Sequence, residues 1–593
     1  MQNLLQLASI FLITGLSAAL SYGNRPSCRC KPNDPCWPSS DQWKALNESI
    51  QGNLVSVRPV GDVCHDPTYN AEACQKVKDI AQNSFWRAEQ PGAVQFLNWE
   101  TLPASNESCY IDGPQSVTCD QGRISLYSAL VESPLQIQEA VRFARKHNLR
   151  LAVKASGHDF LGRSSAPHSL QVSTYRMKDI TFTDDFVPKG SKKGGEGSAV
   201  TIGAGVVLSD LYKASSENDV VAVGGASHTV VASGGYIQGG GHSPLGTWKG
   251  MASDNALEFQ VITPKGDLIT ANEYQNTDLF WALRGGGGGT FGVVASVTIR
   301  TFPDPPIVLA SLNISTTPDN SKGFWDAVKE FHTVLPNLNE NGASGYYFIV
   351  PLNPPLPEIG TMSTVTAALM FVDQDDKAAV ERLLEPLVAA VSKINNVTIA
   401  TSALYSPKTG PIILDALLQG EADGTGVSVA IGSRLISREF LLSENGPAKL
   451  SQTLSSLKSE VGSAFRGHIV AGGQVAKNAG KIDSALNPAW RKTLSHLTLG
   501  NSWNSSTSFD EQRKMYENIT NVEVPLLKAL EPEMGAYLNE ADPHESDFQE
   551  SFWGENYKRL YKFKQEWDPT GLFISRLGVG SEDWDDDGLC RVR

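Results

Sequence analysis

The spacing of apolar residues changes several times along the first half of the chain. Behind Ser133-Pro134, a helix cap and a first-turn proline, apolar residues at positions 137, 140, 141 and 144 have helical spacing. A helix is therefore predicted up to His147, before the strand-like run LRLAVKAS (149–156). Further strands are predicted at SAVTIGAGV (198–206) and, as a hairpin, at NALEFQVITPKGDLIT (255–270). Up to about residue 302 the pattern indicates mixed α/β structure with many strands.

A different pattern follows TFPDPP (301–306). Longer helices are predicted at KGFWDAVKEFHTVL (322–335), DDKAAVERLLEPLVAAVSKI (375–394) and GPAKLSQTLSSLKSEV (446–461), with strands at ASGYYFIV (343–350) and TVTAALMFV (364–372). This alternation predicts a second α/β domain. After about residue 530 the elements are short and rich in aromatic residues, and FKQEWDPTGLF (563–573) is interpreted as a strut that docks elsewhere.

The N-terminus carries the one long apolar run of the sequence. Leu4 to Leu20 is mostly apolar and ends in the small residues Ser17-Ala18-Ala19, which is typical of a secretory signal peptide, here residues 1–22. The alternative is a signal anchor, but the run is shorter than the roughly 20 apolar residues of a membrane span. We expect a secreted protein, or one in the secretory-pathway lumen, without a membrane span after cleavage.

The cysteine pattern agrees with export. Of eight cysteines, seven lie between Cys28 and Cys119 and the eighth is Cys590. An even count in an exported chain predicts disulfides, and residues 23–120 are interpreted as a disulfide-stapled N-terminal extension. A zinc site is the alternative, but the spacing of Cys28, Cys30 and Cys36 is not that of a zinc knuckle. Six glycosylation sequons fit a glycosylated surface; they begin at Asn47, Asn106, Asn313, Asn396, Asn504 and Asn518.

Composition and charge exclude several classes of protein. The chain has 593 residues with 41% hydrophobic and 19% charged residues, which is neither disordered nor polytopic in a membrane. Its formal net charge is −14, whereas a nucleic-acid binder is expected to carry a basic surface, so nucleic acid is not an expected partner. Small molecules are the expected partners.

Three glycine-rich blocks carry the candidate chemistry. KASGHDFLGRSS (154–165) follows a predicted strand, and its glycines allow main-chain N–H groups to curl around a phosphate, with His158 in the middle. The alternative for His158 is a histidine that only hydrogen-bonds within a turn. SHTVVASGGYIQGGGHSPLG (227–246) is dense in glycine, which indicates close approach to a flat or charged ligand, but it does not open a helix as a Rossmann fingerprint does. DLFWALRGGGGGTFGVVASVTI (278–299) lacks the Gly-Lys-Ser/Thr of a P-loop.

Together the three blocks resemble the berberine bridge enzyme-like flavoprotein oxidases of the vanillyl-alcohol oxidase fold, in their filamentous-fungal form, over nearly the whole chain after residue 120. The resemblance implies an α+β fold. It implies a two-part, PCMH-type FAD-binding domain over residues 121–302 and an α/β substrate domain with an antiparallel sheet over 303–530. A C-terminal segment, 531–593, is expected to return to the FAD domain and complete it.

The resemblance also implies the cofactor site. His158 stands where the family attaches the 8α-methyl group of FAD, and MASDNALEFQVITPKGD (251–267) resembles the strand and hairpin beside the flavin and adenosine. The cofactor-contacting residues it implies are Lys154, Ala155, Ser156, Gly157, His158, Asp159, Gly162, Arg163, Ser164, His228, Val231, Gly234, Gly235, Gly240, Gly241, His242, Asp254, Asn255, Ile262 and Asn539.

The chain departs from the family pattern at two positions. His228 replaces the cysteine that bonds the flavin a second time in some members, so a single covalent link, through His158, is expected. Phe160 stands where several alkaloid-oxidising members have tyrosine, so their substrates are not carried over. Val231 stands at the family's oxygen-access position, and a small residue there resembles the O2-reactive members. A metal site at His228 and His242 is not expected, because no third ligand lies at a suitable spacing.

The last block, GAYLNEADP (535–543), suggests the groups that move a proton. Tyr537 matches the first tyrosine of the family's Tyr-x-Asn-Tyr motif, Asn539 would contact the flavin, and Glu540 replaces the second tyrosine. Removal of a hydride from an alcohol needs a base for the hydroxyl proton. Tyr537, Glu540 and a residue of the 306–530 region are the candidates, and Glu540 is alternatively a solvated surface carboxylate.

The expected function is that of a secreted, FAD-linked oxidase. A hydride from a small organic substrate (an alcohol, a sugar or a secondary-metabolite intermediate) would reduce covalently bound FAD, and O2 would be reduced to H2O2. Tailoring of secondary metabolites is the expected context. Two alternatives stay open: a dehydrogenase with another electron acceptor, and a secreted binding glycoprotein that keeps the fold without turnover.

Overall fold

The computed structural model describes residues 28–355, 357, 360–418, 422–457 and 461–592. The expected signal peptide, residues 1–22, lies outside the described residues. Within the described ranges, no helix combines the length and apolar character needed to cross a membrane.

The first sheet has four strands and takes one of them from the N-terminal extension. Its strands are β1 (Leu54–Ser56), β2 (Tyr127–Leu130), β3 (Arg150–Lys154) and β4 (Ser169–Ser173), in the order β1-β2-β4-β3. Strand β1 is antiparallel to β2, and the other pairs are parallel. The helices of this region are Ser40–Ser49, Ala71–Ile80, Ser84–Glu89 and Pro134–Lys146. The last is the helix predicted from sequence, and its four apolar positions are fully buried.

The second sheet is antiparallel and contains the predicted hairpin. Its strands are β5 (Ile180–Thr183), β6 (Ala199–Gly203), β7 (Val220–Ala222), β8 (Ala256–Ile262), β9 (Leu268–Asn272) and β10 (Val293–Pro303). They are ordered β5-β6-β10-β8-β9, and β7 also pairs with β10. The helices here are Leu208–Glu217, Gly246–Lys249 and Thr277–Leu283.

The third sheet is antiparallel, and one of its faces lines a cavity together with segments next to the first two sheets. Its strands are β11 (Ile307–Thr316), β12 (Ala343–Val350), β13 (Ser363–Val372), β14 (Thr398–Ser406), β15 (Ser428–Ser437), β16 (Phe465–Ile469) and β17 (Thr493–Trp503), ordered β14-β11-β13-β12-β16-β17-β15. The helices of this region are Ser321–Glu340, Lys377–Val391, Thr409–Ile412, Arg438–Leu442, Gly446–Ser456, Gly473–Lys477, Phe509–Asn518 and Val524–Lys528. The mixed structure with antiparallel sheets confirms the predicted α+β class.

The two faces of the third sheet differ because strand side chains alternate. On β16, Phe465 and Ile469 pack into the core beneath the helices, whereas Arg466 and His468 point to the opposite face. On β17, Leu497 and Leu499 likewise belong to that core. The opposite face is therefore free to carry polar groups.

The C-terminal segment docks on the second sheet. It contains the helices Phe548–Trp553 and Tyr557–Trp567. Lys564 donates from its buried Nζ to the carbonyls of Thr290 (2.7 Å) and Phe573 (2.6 Å), and Trp567 donates to the carbonyl of Phe291 at 2.6 Å. The glycine block at 285–289 also contacts the C-terminal segment, because Trp553 donates to the carbonyl of Gly285 at 2.9 Å and Ser575 to that of Gly288 at 3.0 Å.

All eight cysteines form disulfides: Cys28–Cys590, Cys30–Cys36, Cys64–Cys74 and Cys109–Cys119. The predicted disulfide framework is confirmed, and its thiols are not available as zinc ligands. Three bridges are local, whereas the fourth joins the start of the extension to the C-terminal segment.

Candidate active site

The main cavity has a volume of about 610 Å³ and lies where the three sheets and the C-terminal segment meet. Its walls come from the histidine loop after β3, the glycine-rich segment 226–238, the segment 288–294, and the polar face of the third sheet. Tyr537, Asn539 and Glu540 close one side. The three glycine-rich blocks, far apart in sequence, therefore share one site.

The loop after β3 holds His158 on the cavity wall. Gly157 and Gly162 have φ values of +83° and +76°, a conformation that side chains other than glycine rarely adopt. Asp159 accepts hydrogen bonds from the guanidinium of Arg163 at 2.8 and 2.6 Å, which fixes the turn. Nε2 of His158 lies 2.6 Å from Oγ1 of Thr229. These contacts hold the loop in one conformation, with the imidazole lining the cavity.

Asn539 joins this loop to the C-terminal segment. Its Oδ1 accepts from Arg163 at 3.0 Å, and its Nδ2 lies 2.9 Å from the carbonyl of Gly235 and 2.8 Å from the phenol oxygen of Tyr537. Burial, with the nearby charge of Glu540, raises the pKa of Tyr537 above its usual value. The phenol therefore stays protonated at neutral pH.

Glu540 faces three imidazoles. Nε2 of His242 lies 3.0 Å from Oε1 of Glu540, and Nδ1 of both His468 and His496 lies 3.6 Å from Oε2. The two Nδ1 atoms are 3.2 Å apart, so one donates to the other. The ligand-type atoms of all four groups lie within 4.8 Å of one another, a spacing that a metal site would also have. We name this set, His242, His468, His496 and Glu540, the His–Glu cluster.

Burial and mutual contact set the charges in the His–Glu cluster. Burial lowers the pKa of His468 to about 4 and that of His496 well below its usual value, so these two imidazoles are neutral at pH 7. Burial opposes ionisation of Glu540, but the three imidazoles, His242 foremost, hold its carboxyl pKa well below the usual value. Glu540 is only 23% exposed and lines the cavity. It is an ionised carboxylate in a sheltered position, rather than a solvated surface group.

Thirteen residues implied by the resemblance line the cavity: Ala155, Ser156, Gly157, His158, Asp159, Arg163, Ser164, Val231, Gly234, Gly235, Tyr537, Asn539 and Glu540. The other nine lie behind its wall: Lys154, Gly162, His228, Gly240, Gly241, His242, Asp254, Asn255 and Ile262. Contact of either group with the cofactor stays a prediction.

The residues behind the wall have structural partners. Lys154 is fully buried and donates to the carbonyls of Arg87 and Gln90 at 3.2 and 2.5 Å. Asp254 forms an ion pair with Arg491 through both carboxylate oxygens, at 2.7 and 2.8 Å. Sequence resemblance locates these residues near the site but does not show which way a side chain points.

Among the cavity-wall and cluster residues that sequence reasoning missed are Phe96, Asp423, His468 and His496. Phe96 belongs to the N-terminal extension and stacks on Phe160 with ring centroids 4.4 Å apart. The two histidines lie on β16 and β17, on the polar face of the third sheet. Only their pairing at 468 and 496 across the sheet brings them together, and no local motif signals it.

The residues present fit a flat, phosphate-bearing cofactor. A Cβ atom at Gly235 would meet nothing within 4 Å, so a side chain there would project into the cavity. A Cβ atom at Gly288 would lie 2.8 Å from the Cα atom of Gly235, so the two glycine segments touch. Exposed main chain of this kind allows close approach of a ring and donation from N–H groups to phosphate, as FAD requires.

Comparison with known proteins agrees with this geometry. The FAD binding domain model matches residues 126–272, and the berberine and berberine-like model matches residues 536–580. An uncharacterized FAD-linked oxidoreductase of Arthroderma benhamiae is 52% identical over 98% of both chains. The FAD-linked oxidoreductase easE of Epichloe festucae var. lolii is 43% identical over 96% of this chain and 93% of its own.

A solved structure gives the same result for the fold. The VAO-type flavoprotein MtVAO713 from Myceliophthora thermophila C1 superposes with a TM-score of 0.88 at 28% identity, over 95% of this chain and 100% of that chain. The chain therefore belongs to the berberine bridge enzyme-like family of VAO-type flavoproteins and is an FAD-dependent oxidoreductase.

Proposed function

We propose that this protein is a secreted oxidase that holds FAD covalently through His158, takes a hydride from a small organic substrate and passes the electrons to O2. The observation that carries the proposal is the presence of His158 and the sheltered, ionised Glu540 on the wall of one cavity. His158 supplies the tether for FAD, and Glu540 supplies the base. A binding protein without turnover has no need of an ionised carboxylate held away from water.

Bound FAD would supply a two-electron acceptor for a C–H bond of the substrate. Glu540 accepts the hydroxyl or amine proton, because it is ionised and lines the cavity. His242 orients the carboxylate through its 3.0 Å contact with Oε1. Tyr537, protonated and held by Asn539, serves as a hydrogen-bond donor rather than as the base.

The proposed substrate is a polar small molecule, an alcohol, a sugar or a secondary-metabolite intermediate. Arg466, Thr498 and Ser502 line the cavity from the third sheet and can hydrogen-bond hydroxyl or carbonyl groups. Val231 also lines the cavity, and its small side chain supports access of O2.

Export is supported by the four disulfides and by the sequons. Disulfides persist in oxidising compartments and are rare in the cytosol. All six sequon asparagines lie among the described residues, and each is exposed or half-exposed. Glycosylation at these positions is therefore sterically possible, and detection of glycans on the secreted protein tests it.

The first experiment is an absorption spectrum of the purified protein before and after acid precipitation, with mass spectrometry of the flavin peptide. We expect a yellow pellet and the flavin mass on the peptide that contains His158. His158→Ala is the matched variant, from which acid should release all FAD. Flavin retained covalently by that variant would show that the tether lies elsewhere.

A panel of substrates tests whether O2 is the electron acceptor. Each substrate is monitored for peroxide formation and for reduction of an artificial electron acceptor. Peroxide formation supports the oxidase; turnover with the artificial acceptor alone indicates a dehydrogenase, and no turnover with FAD bound favours the binding protein. Dialysis against a chelator should leave turnover unchanged. Loss of turnover would show that turnover depends on a metal ion, for which the His–Glu cluster is the candidate site.

A further inference from the structure

Asp423 connects the third-sheet region to the segment that faces His158. Its Oδ2 accepts hydrogen bonds from the amide and hydroxyl of Thr229, at 2.9 and 2.7 Å, and from the hydroxyl of Ser227 at 3.0 Å. Its Oδ1 accepts from the amide of His228 at 2.8 Å. Four donors therefore fix one carboxylate. It comes from the loop before β15, far in sequence from the histidine loop.

The hydroxyl of Thr229 connects Asp423 to His158 through two hydrogen bonds. A threonine hydroxyl has one proton, and an ionised carboxylate can only accept. Since Thr229 donates its proton to Asp423, its oxygen must accept from Nε2–H of His158, 2.6 Å away. Nε2 also lies 3.4 Å from Oδ2 of Asp423. The chain of donors is therefore His158 to Thr229 to Asp423.

This chain of donors selects the tautomer of His158. A neutral imidazole with its proton on Nε2 has its lone pair on Nδ1. Among the described residues, no hydrogen-bond partner is seen for Nδ1, and His158 lines the cavity. The nitrogen left free is therefore a nucleophile on the cavity side.

Burial opposes ionisation of Asp423, but the hydrogen bonds that it receives from His158, Thr229 and His228 hold its carboxyl pKa well below the usual value. An ionised Asp423 also stabilises the positive charge that an imidazole gains when Nδ1 forms a bond. The same carboxylate therefore sets the tautomer and lowers the energy of the charged product.

We propose that Asp423, acting through Thr229, is the positioning residue that makes Nδ1 of His158 reactive towards the 8α-methyl group of FAD. The inference rests on the proposed function, since it assumes the His158 tether. A bond forms between Nδ1 and the methyl carbon, one methyl C–H bond breaks, and the imidazole loses its remaining N–H proton towards Thr229 and Asp423. Two protons are released in all, and the two electrons reduce the flavin ring, from which O2 takes them to give H2O2.

His228 owes its orientation to the same carboxylate. Its Nδ1 lies 3.3 Å from Oδ1 of Asp423, and its Nε2 lies 3.1 Å from the carbonyl of Leu418. The residue at the second-tether position is thus turned behind the cavity wall. Asp423 supports one histidine for attachment and holds the other away from it.

The test measures acid-stable flavin as a fraction of total bound flavin, together with its rate of appearance when excess FAD is added. Asp423→Asn should keep FAD binding but attach it at least tenfold more slowly. Thr229→Val, which removes the hydroxyl without changing charge, should have the same effect. Asp423→Glu should restore part of the rate.

Asp510→Asn is the matched control, because it makes the same change at an exposed side chain that does not line the cavity. It should attach flavin at the rate of the unmodified protein. Equal rates in Asp423→Asn, Thr229→Val and the unmodified protein would overturn the role of Asp423 alone. If the unmodified protein carries no acid-stable flavin, the tether and this inference both fail. A lower melting temperature and loss of total FAD in Asp423→Asn, with Thr229→Val unaffected, would assign Asp423 a structural role and overturn the proposal.

Discussion

Glu540 and its three imidazole neighbours show how single residues acquire chemistry from their surroundings. Contacts with the three imidazoles hold the pKa of the Glu540 carboxyl well below its usual value, whereas burial raises the pKa of the Tyr537 phenol. Sequence resemblance directs attention to Tyr537 and Glu540 but leaves the identity of the base open. The choice of Glu540 rests first on its contact with His242. Sheet register adds His468 and His496 to the surroundings of the carboxylate.

Glu540→Gln tests whether Glu540 is the base that accepts the substrate proton. Glutamine keeps the size and the contact with His242 but cannot accept a proton, so flavin reduction should slow by about 10²-fold or more. The measurement is anaerobic bleaching of the flavin by the substrate that the panel identifies. Acid-stable flavin should stay unchanged, and Glu533→Gln, at an exposed position, is the control. An unaltered reduction rate in Glu540→Gln would exclude Glu540 as the base.

At the scale of elements, strongly periodic segments were predictable and their assembly was not. The helix Pro134–Lys146 and the hairpin of β8 and β9 follow directly from apolar spacing and turn residues. The helix Lys377–Val391 also follows from its apolar spacing. It continues through Pro386 because burial of its apolar face outweighs the hydrogen bond that the proline removes. The order of the seven-stranded sheet depends on pairing between distant strands, which periodicity does not encode.

The helix Ser321–Glu340 carries a buried histidine whose titration affects stability. Nδ1 of His332 lies 2.8 Å from the carbonyl of Val328, Nε2 lies 3.1 Å from the phenol oxygen of Tyr347, and burial lowers the pKa of His332 to about 4. Between pH 6.5 and 4 the unfolded chain binds this proton and the folded protein does not, so acidification favours unfolding. The contribution, about 3 kcal/mol, is present above pH 6.5 and lost by about pH 4.

His332→Gln removes the titrating group and provides the comparison. The difference in apparent melting temperature between the unmodified protein and the variant should shrink, and then change sign, as the pH falls from 7 to 4. The measurement is differential scanning fluorimetry across that range. A difference that stays constant with pH would contradict the assignment of a low folded-state pKa to His332.

Across the whole molecule, the N-terminal extension has a larger role than its sequence predicts. It gives β1 to the first sheet, places Phe96 on the cavity wall, and pairs Leu97 with the carbonyl of Val427 at 3.0 Å. A cysteine pattern predicts disulfides but not which segments they join. These contacts link segments that are distant in sequence, 75 residues apart for Leu54 and Ala129 and 330 for Leu97 and Val427, so they could not be derived from local sequence.

Removal of the Cys28–Cys590 bridge tests how much the link between the extension and the C-terminal segment stabilises the protein. The bridge joins positions 562 residues apart, and the loop-entropy model assigns it about 6 kcal/mol, against about 2–3 kcal/mol for a ten-residue loop. Cys28→Ser with Cys590→Ser should therefore lower the apparent melting temperature more than Cys64→Ser with Cys74→Ser, the matched pair. Thermal unfolding of the two double variants is compared at one pH; a smaller loss for the long-range pair would contradict this ranking.

The same bond makes most of the protein a covalent ring. Between Cys28 and Cys590 a protease can cut the backbone once without releasing either part, since both remain joined through the bridge. Two cuts, or one cut and a reductant, are needed before a fragment can leave. In an environment that contains proteases but no reductant, a nicked molecule would keep its mass and both halves of its cofactor cavity.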